Sequence, residues 1–259
     1  MMNQHTTTTR IAAGLIAALA LTSCSSGLGG GSDSEGGWTE SSAAAESGVS
    51  PLLFLGDSVA AGQALPLSQA MAESGAYFIN ETSTGGGNVV GPDAASQWED
   101  LPERLAEADG GTVVYQITSY DWGTPKEQEQ AYQRLATAAA DAGADLIVVS
   151  MPPIEPDEFY ADHMDELATA AERAADVAAD DEGVEFLDAT EVWGEQYSRE
   201  QDGQVHRSSD GIHTCPQGAA HFTSWLLEEL AGLYPGFEPA DADEWANAGW
   251  SSDETFTGC

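Results

Sequence analysis

The stretch LLFLGDSVAAG, residues 52–62, joins a short apolar run to a turn of small and polar residues. The apolar part is typical of a buried strand, and the alanine-rich continuation is typical of a helix. Gly56, Asp57 and Ser58 lie between the two. This strand–turn–helix unit predicts an α/β fold with the hydroxyl of Ser58 at the start of a helix.

The rest of the chain repeats this alternation of short apolar runs with segments rich in Ala, Glu and Leu. Five runs have the length and composition of buried strands, at residues 51–56, 76–80, 111–118, 144–150 and 184–188. Helices are predicted at residues 60–74, 97–108, 126–142, 162–180 and 216–233. The pattern predicts a doubly wound, flavodoxin-like α/β fold, a three-layer sandwich around a parallel sheet of about five strands.

Two polar motifs have the residues of a nucleophilic site. A serine at a helix N-terminus, such as Ser58, lies beside backbone N–H groups that stabilise a developing oxyanion. Near the end of the chain, SSDGIH at residues 208–213 places Asp210 three residues before His213. Asp210 can then hold one imidazole nitrogen while the other faces Ser58, as a catalytic triad requires. The alternative is that Ser58 caps a helix and Asp210 caps a turn, without chemistry.

The GDS motif after the first predicted strand and the DGIH motif before the last predicted helix together resemble those of the SGNH, or GDSL, hydrolases. The resemblance extends over residues 51–233. It implies a serine hydrolase in which Ser58 attacks an ester carbonyl, His213 acts as general base and Asp210 orients His213. No cofactor is implied.

The same resemblance implies an oxyanion hole that includes a glycine backbone N–H and an asparagine side chain. The loop TGGGN, residues 84–88, follows the second predicted strand. It offers the backbone N–H of Gly86 or Gly87 as a donor beside the backbone N–H of Ser58.

The asparagine is where this sequence departs from the family pattern. After the third predicted strand it reads TSYD, residues 118–121, with Tyr120 at the expected asparagine position. Loss of one oxyanion donor slows turnover by about 100- to 1000-fold. Either Asn88, Ser119 or the Tyr120 hydroxyl therefore replaces the missing donor, or the reaction is slow.

The N-terminus has the pattern of a lipoprotein signal peptide, predicted at residues 1–23. A polar start is followed by the apolar run IAAGLIAALAL, which is short for a membrane span. The sequence LTSC, residues 21–24, resembles a lipobox, which makes Cys24 the lipid-modified first residue; an ordinary signal peptide is the alternative. Residues 24–50 are predicted to be a flexible linker, and residues 51–259 one hydrolase domain with an irregular C-terminal wrap from residue 234.

The charge of the chain excludes several kinds of partner. It has 7 Lys and Arg against 44 Asp and Glu, a formal net charge of −37. Such a surface repels nucleic acid and anionic lipid, so no nucleic-acid partner is expected. Membrane attachment is predicted through the lipid on Cys24, at the extracytoplasmic face of the cell membrane. We expect the protein to be a monomer.

Two cysteines remain in the predicted domain, Cys215 and Cys259. In an oxidising compartment they are expected to form a disulfide, and free buried thiols are the alternative. The histidines at positions 206, 213 and 221 are seven and eight residues apart, a spacing that matches no compact zinc pattern. No metal site is predicted.

Together these features predict an extracytoplasmic serine esterase or O-acyltransferase that acts on acyl esters. Acylated glycans of the cell envelope are the expected substrate, because the asparagine motif is similarly replaced in SGNH domains associated with bacterial membrane acyltransferases that modify surface sugars. The alternative is a catalytically weak, SGNH-fold glycan-binding lipoprotein that holds its sugar with the glycine-rich and aromatic loops.

Overall fold

The computed structural model describes residues 42–259. The predicted signal peptide, Cys24 and residues 25–41 of the predicted linker lie outside the described residues. Within residues 42–259, no helix has both the length and the apolar character needed to cross a bilayer.

Five strands form a central sheet in the order β2-β1-β3-β4-β5, and every neighbouring pair is parallel. They are β1 (Leu52–Leu55), β2 (Phe78–Asn80), β3 (Thr112–Gln116), β4 (Asp145–Val149) and β5 (Val184–Leu187). The helices are α1 (Ser42–Ser47), α2 (Ser58–Glu73), α3 (Ala94–Leu105), α4 (Pro125–Asp141), α5 (Met164–Asp180), α6 (Thr190–Trp193), α7 (Pro216–Leu233) and α8 (Ala242–Trp245). A hairpin of β6 (Glu200–Gln201) and β7 (Gln204–Val205) precedes α7. The predicted doubly wound sheet is confirmed.

Alternate residues of each strand point into two separate cores. In β1, Leu52 and Phe54 pack in one core with α2 and α7, where the rings of Phe54 and Phe222 lie 6.4 Å apart. Leu53 and Leu55 pack in the other core, with side chains of α3, α4 and α5. Because helices cover both faces of the sheet, the inner strands β1, β3 and β4 are buried on both faces over almost their whole length instead of alternating between buried and exposed residues. This confirms the predicted three-layer sandwich.

The domain begins before residue 51, which corrects the predicted end of the linker. Residues 42–47 form α1, and Ala44 and Val49 are 2% and 0% exposed in the first core. The hydroxyl of Thr112 donates to the Gly48 carbonyl at 3.0 Å. The sequence of this segment consists mostly of small and acidic residues, which is typical of a linker. Its two apolar side chains, Ala44 and Val49, nevertheless pack in the core.

The C-terminal wrap is also more regular than predicted. It contains α8 and two 3₁₀ turns, Trp250–Ser252 and Glu254–Phe256. A capping box between Asp241 and Glu244 starts α8. Trp245 is 1% exposed, so α8 places one large side chain in the core. With four residues, α8 is too short to show helical periodicity in the sequence.

Candidate active site

The turn between β1 and α2 carries Ser58. Gly56 has a φ of +153°, and a Cβ there would lie 2.5 Å from the Cβ of Ala60, so glycine is required. Asp57 is the N-cap of α2, and its Oδ1 accepts a hydrogen bond from the backbone N–H of Val59 at 2.9 Å. Ser58 is therefore the first residue of α2, where the helix leaves backbone N–H groups without an internal acceptor.

His213 lies between Ser58 and Asp210. Its Nε2 is 2.9 Å from Ser58 Oγ, and its Nδ1 is 2.8 Å from Asp210 Oδ2. The side chains of His213 and Asp210 are 35% and 44% exposed, so an ester can approach the imidazole from solvent. The fold thus brings together the three residues predicted to be catalytic. Their hydrogen bonds run from the predicted nucleophile Ser58 to the predicted base His213 and on to the carboxylate of Asp210.

The environment of Asp210 keeps this residue ionised. Burial raises its pKa, but hydrogen bonds from the backbone N–H groups of His213 and Ile212, at 3.0 and 2.8 Å, and from the imidazole outweigh burial. Together they lower the pKa of Asp210 to about 2. The carboxylate can therefore hold the Nδ1–H of His213 and stabilise the imidazolium that forms during proton transfer.

A buried arginine anchors residues 208–213, here called the catalytic loop after the role predicted for Asp210 and His213. Arg207 is 1% exposed, and its guanidinium donates to the carbonyls of Pro153 and Ile212, both at 2.6 Å. Burial lowers the pKa of Arg207 to about 10, which still leaves it charged at neutral pH. No sequence pattern marks Arg207, because its acceptors are backbone carbonyls, which every residue supplies.

A disulfide between Cys215 and Cys259 holds the same loop from the C-terminal side, which confirms the expected pairing. Cys215 is two residues beyond His213 and is the N-cap of α7. The backbone N–H of Ser209 donates to the Gly258 carbonyl at 3.1 Å. The end of the chain therefore packs directly on the catalytic loop.

Several solved hydrolases share this arrangement of sheet and helices. A protein from Bacteroides ovatus described as a GDSL-like lipase aligns with a TM-score of 0.50 and 15% identity, over 70% of this chain and 52% of that one. LAE5, an α/β hydrolase from the metagenome of Lake Arreo, Spain, aligns at 0.52 and 16%, over 71% and 97%. A variant of Axe2, an acetyl-xylooligosaccharide esterase from Geobacillus Stearmophilus, aligns at 0.50 and 15%, over 71% and 96%. The chain has the SGNH hydrolase fold.

No protein-family model matches the sequence, and no curated protein matches it. Identities of 15–16% to the solved structures establish the fold alone. Because one fold hosts many functions, the function of this protein depends on the residues of its site and not on the fold alone.

The glycine loop after β2 packs on the nucleophile turn. Gly86 and Gly87 have φ values of +87° and +85°, and a Cβ on Gly87 would lie 2.5 Å from the Gly56 carbonyl oxygen. The backbone N–H of Ser83 donates to the same carbonyl at 2.9 Å. The loop therefore lies against the turn that carries Ser58, and the oxyanion role of Gly86 or Gly87 stays a prediction that this placement allows.

Asn88 has a different role from the predicted one. Its side chain is fully buried, and its Nδ2 donates to the carbonyls of Val90 and Pro92, both at 2.7 Å. Both amide hydrogens are thus used to close the loop. This corrects the predicted oxyanion role of the Asn88 side chain, since it has no hydrogen left to donate.

Asp57 joins the nucleophile turn to the loop after β3. Its Oδ2 accepts hydrogen bonds from the backbone N–H and the hydroxyl of Ser119, both at 2.8 Å. Asp57 and Ser119 are 1% and 2% exposed, so these bonds are sheltered from water. The Ser119 hydroxyl, which was one possible replacement for the missing asparagine, is therefore committed to Asp57.

Five rings, here called the aromatic cluster, lie next to this junction: Tyr120, Trp122, Phe159, Tyr160 and His163. Phe159 is 55% exposed, and its ring centroid lies 6.2 Å from that of Tyr120 and 5.4 Å from that of Trp122. Trp122 stacks on His163 with centroids 3.7 Å apart. The rings come from the loops after β3 and β4, about forty residues apart in sequence, so only the fold reveals the cluster.

Among residues 42–259, no group of three or more His, Cys, Asp or Glu side chains is arranged to hold a metal ion. His206 packs edge-on against His221, with ring centroids 5.6 Å apart. Burial, and then repulsion from His221, lowers the pKa of His206. His206 and His221 therefore form a packing pair, separate from His213.

Proposed function

We propose that this protein is a serine esterase or O-acyltransferase that acts on acyl esters, with acylated glycans of the cell envelope as its substrates. The hydrogen-bonded series Ser58–His213–Asp210, with contacts of 2.9 and 2.8 Å, carries the proposal. A serine hydroxyl is a poor nucleophile unless a base takes its proton, and this arrangement supplies that base.

In the first half-reaction, Ser58 Oγ bonds to the carbonyl carbon of the ester as its proton moves to His213 Nε2. The carbonyl π electrons shift to oxygen, and backbone N–H groups at the start of α2 and in the glycine loop stabilise the charge. Collapse of the intermediate expels the alcohol, which takes the proton from His213. In the second half, water or a sugar hydroxyl gives its proton to His213 as its oxygen attacks the acyl-serine. The bond between the acyl carbon and Ser58 Oγ then breaks, His213 returns the proton to Ser58 Oγ, and the acyl group leaves on the attacking oxygen.

The aromatic cluster supports a glycan as the carrier of the acyl group. Tyr120 follows Ser119, which is bonded to the nucleophile turn through Asp57. Phe159 and Trp122 extend the aromatic surface outward from Tyr120, and rings of this kind pack on the apolar faces of sugars. Axe2, which shares the fold, is an acetyl-xylooligosaccharide esterase.

The proposed location is the extracytoplasmic face of the cell membrane, with a lipid on Cys24 as the anchor and no nucleic-acid partner. The disulfide between Cys215 and Cys259 supports an oxidising compartment, because disulfides persist there and are rare in the cytosol. We propose that the protein acts there as a monomer.

Glycan binding without catalysis is the second candidate. Tyr120 at the position of the family asparagine favours it, because a missing oxyanion donor slows the reaction. The hydrogen bonds of the triad favour catalysis, since a binding module has no need for a serine joined to an imidazole.

A fluorophosphonate probe tests the proposal without knowledge of the substrate, because it reacts only with an activated nucleophile. We expect intact-mass spectrometry to show one adduct on the parent protein and none on Ser58→Ala or His213→Ala. Ser209→Ala is the matched control, since Ser209 is an exposed serine of the same loop that the mechanism does not use. A folded parent that forms no adduct would sink the enzyme proposal and favour glycan binding.

A further inference from the structure

A cleft of about 500 Å³ lies between α3 and α4. Its walls come from residues 89–134, a stretch that contains none of the three triad residues. The aromatic and polar side chains that line it are Trp98, Trp122, Glu127, Gln130 and Arg134, and the space they enclose is here called the tryptophan cleft. Its volume is within the range of roughly 300–1,000 Å³ that small-molecule sites have.

Two loops meet closely at this cleft because residue 91 is a glycine. Gly91 has a φ of +91°, and a Cβ there would collide with the Tyr120 carbonyl oxygen and would lie 3.0 Å from the backbone nitrogen of Trp122. Any other residue at position 91 would therefore push the loop of Trp122 outward. The glycine keeps the backbone of residues 89–91 against Trp122 and fixes one side of the cleft.

Both indoles of the cleft have their N–H groups bonded inside the protein. Trp98 Nε1 donates to the Val89 carbonyl at 2.9 Å, and Trp122 Nε1 donates to the Ser119 carbonyl at 2.8 Å. Trp122 is also stacked on His163, with ring centroids 3.7 Å apart. The two rings are therefore held in place, and what they present to the cleft is apolar carbon surface.

Arg134 supplies hydrogen-bond donors to the cleft. Its guanidinium lies over the ring of Trp98, with the carbon Cζ 3.8 Å from the ring centroid, and the residue is exposed. Stacking uses the flat face of the guanidinium, while its N–H groups lie in the plane and point outward around the edge. Among residues 42–259, Arg104 and Arg173 pair with carboxylates, whereas Arg134 lies on an indole. The N–H groups of Arg134 are therefore available to a ligand.

Acceptors come from the same helix, one to two turns earlier. Glu127 Oε2 accepts hydrogen bonds from the hydroxyl and the backbone N–H of Thr124, at 2.7 and 2.9 Å. This carboxylate is therefore fixed at the start of α4 and keeps lone pairs for a further donor. Gln130 lies one turn further along α4, is exposed, and carries an amide that both donates and accepts. Because the charges of Arg134 and Glu127 are opposite, the cleft is polar without a net charge.

These features favour an uncharged sugar as the ligand of the cleft. A sugar ring has apolar C–H faces that pack on indoles, and its hydroxyls both donate to a carboxylate and accept from a guanidinium. An anionic ligand would meet no net positive charge in the cleft. It would also be repelled by a chain whose formal net charge is −37.

We propose that the tryptophan cleft binds an uncharged saccharide unit, with its hydroxyls bonded to Arg134 and Glu127 and its ring in contact with Trp122. The site goes beyond the proposed function, since binding there requires no reaction at Ser58. Trp122 belongs both to the cleft and to the aromatic cluster, so a longer glycan can contact the two surfaces together.

Isothermal titration calorimetry of the parent and of Ser58→Ala tests the proposal, with uncharged tetrasaccharides built of glucose, galactose or mannose units as titrants. At least one should bind, and equally well to both proteins. Arg134→Gln should weaken that binding about tenfold, because hydrogen bonds from a charged group are lost. Lys126→Gln is the matched control, since Lys126 is an exposed cation of α4 outside the cleft, and it should keep the parental affinity.

Two further comparisons show which property of the ligand the cleft recognises. Arg134→Lys keeps the positive charge but loses the planar set of donors, so it should bind about as weakly as Arg134→Gln. Tetragalacturonate, which carries a carboxylate on every unit, should bind more weakly than the galactose tetrasaccharide at low salt, because the acidic chain repels it.

Three outcomes would overturn this assignment. One is a folded Arg134→Gln variant with the parental affinity, which would leave the aromatic cluster as the contact for a glycan. Another is tighter binding of tetragalacturonate than of the galactose tetrasaccharide, since Arg134 would then hold an anion. The third is no binding of any uncharged tetrasaccharide up to about 10 mM. All three leave the proposed reaction at Ser58 unaffected, because the fluorophosphonate tests it separately.

Discussion

Two buried aspartates fix the loop that carries Tyr120. Asp57 accepts hydrogen bonds from the backbone and hydroxyl of Ser119, and Asp121 accepts from the backbone N–H of Thr118 at 3.0 Å and the hydroxyl of Tyr115 at 2.7 Å. A carboxyl group accepts hydrogen bonds at several lone pairs, so it suits a site surrounded by donors. The cost is the desolvation of a charge, which raises the pKa of Asp121.

This cost makes the stability of the fold depend on pH. Burial raises the pKa of Asp121 to about 7, against the opposing effect of its hydrogen bonds from Tyr115, Thr118 and Val89, whereas an unfolded aspartate titrates near pH ~3.9. Between these values the folded state binds more protons than the unfolded state. The stability that Asp121 contributes to the fold is therefore fully present below about pH 4. It is lost as the pH rises from about 4 to about 7.

Urea unfolding of the parent and of Asp121→Asn at several pH values from 4 to 8 measures this contribution. The parent should lose stability over that range, and Asp121→Asn should lose less because its amide does not titrate. Asp141→Asn removes an exposed carboxyl and should keep the parental pH dependence. Equal slopes in the parent and Asp121→Asn would show that Asp121 titrates normally in the fold.

At the scale of residues, the contact of His213 with Ser58 and Asp210 could be predicted, and the residues that hold this arrangement in place could not. Ser58, Asp210 and His213 lie in two short motifs whose spacing already fits their chemistry. Arg207 and Asn88 act through backbone carbonyls, and any residue supplies a carbonyl, so no sequence pattern marks the contact. Hydrogen-bond partners of this kind become visible only when the chain is folded.

At the scale of elements, prediction succeeded where a periodic pattern was long enough to read. The last long helix was predicted at 216–233 and is found at Pro216–Leu233, and β5 ends one residue before its predicted end. The start of α3 was predicted three residues late, because Asp93 enters it from a left-handed conformation without a side-chain cap. Elements of two to four residues, such as α6 and β6, have no period to detect.

The C-terminal wrap and the catalytic loop are joined by the Cys215–Cys259 disulfide, which closes a loop with a sequence separation of 44. Chain entropy alone assigns a bridge of this span a stabilisation of about 4 kcal/mol. The double variant Cys215→Ala/Cys259→Ala should therefore unfold at lower urea concentration. It should also react more slowly with the fluorophosphonate, because Gly258 bonds to Ser209 of the catalytic loop.

Reduction of the parent under native conditions is the matched comparison for the double variant, since it removes the covalent bond and leaves both cysteines in place. Reduced parent and double variant should lose stability to a similar extent. A double variant within about 0.5 kcal/mol of the oxidised parent would show that the wrap is held by its buried side chains, Trp245 and Phe256, and not by the bridge.

At the scale of the whole molecule, the surface carries far more negative charge than its cations can pair. The chain has 44 acidic residues and 7 lysines and arginines. Within residues 42–259, Arg104 pairs with Glu81 at 2.6 Å and Arg173 with Asp176 at 3.0 Å, while Arg207 is buried against carbonyls. Most carboxylates therefore have no lysine or arginine to pair with, and the repulsion among these negative charges opposes the compact state.

Salt should relieve this repulsion, because the Debye length falls from about 30 Å at 0.01 M to about 3 Å at 1 M. We expect the thermal unfolding midpoint at pH 7 to rise by about 5 °C over this range of NaCl, which corresponds to ~1–2 kcal/mol for a domain of this size. Near the calculated isoelectric point, at about pH 4.1, many carboxyls are neutral and the same salt series should give a much smaller rise. Equal rises of the unfolding midpoint at both pH values would instead point to a general effect of salt on apolar burial. An unchanged midpoint at pH 7 would show that repulsion among the surface carboxylates costs the fold little stability.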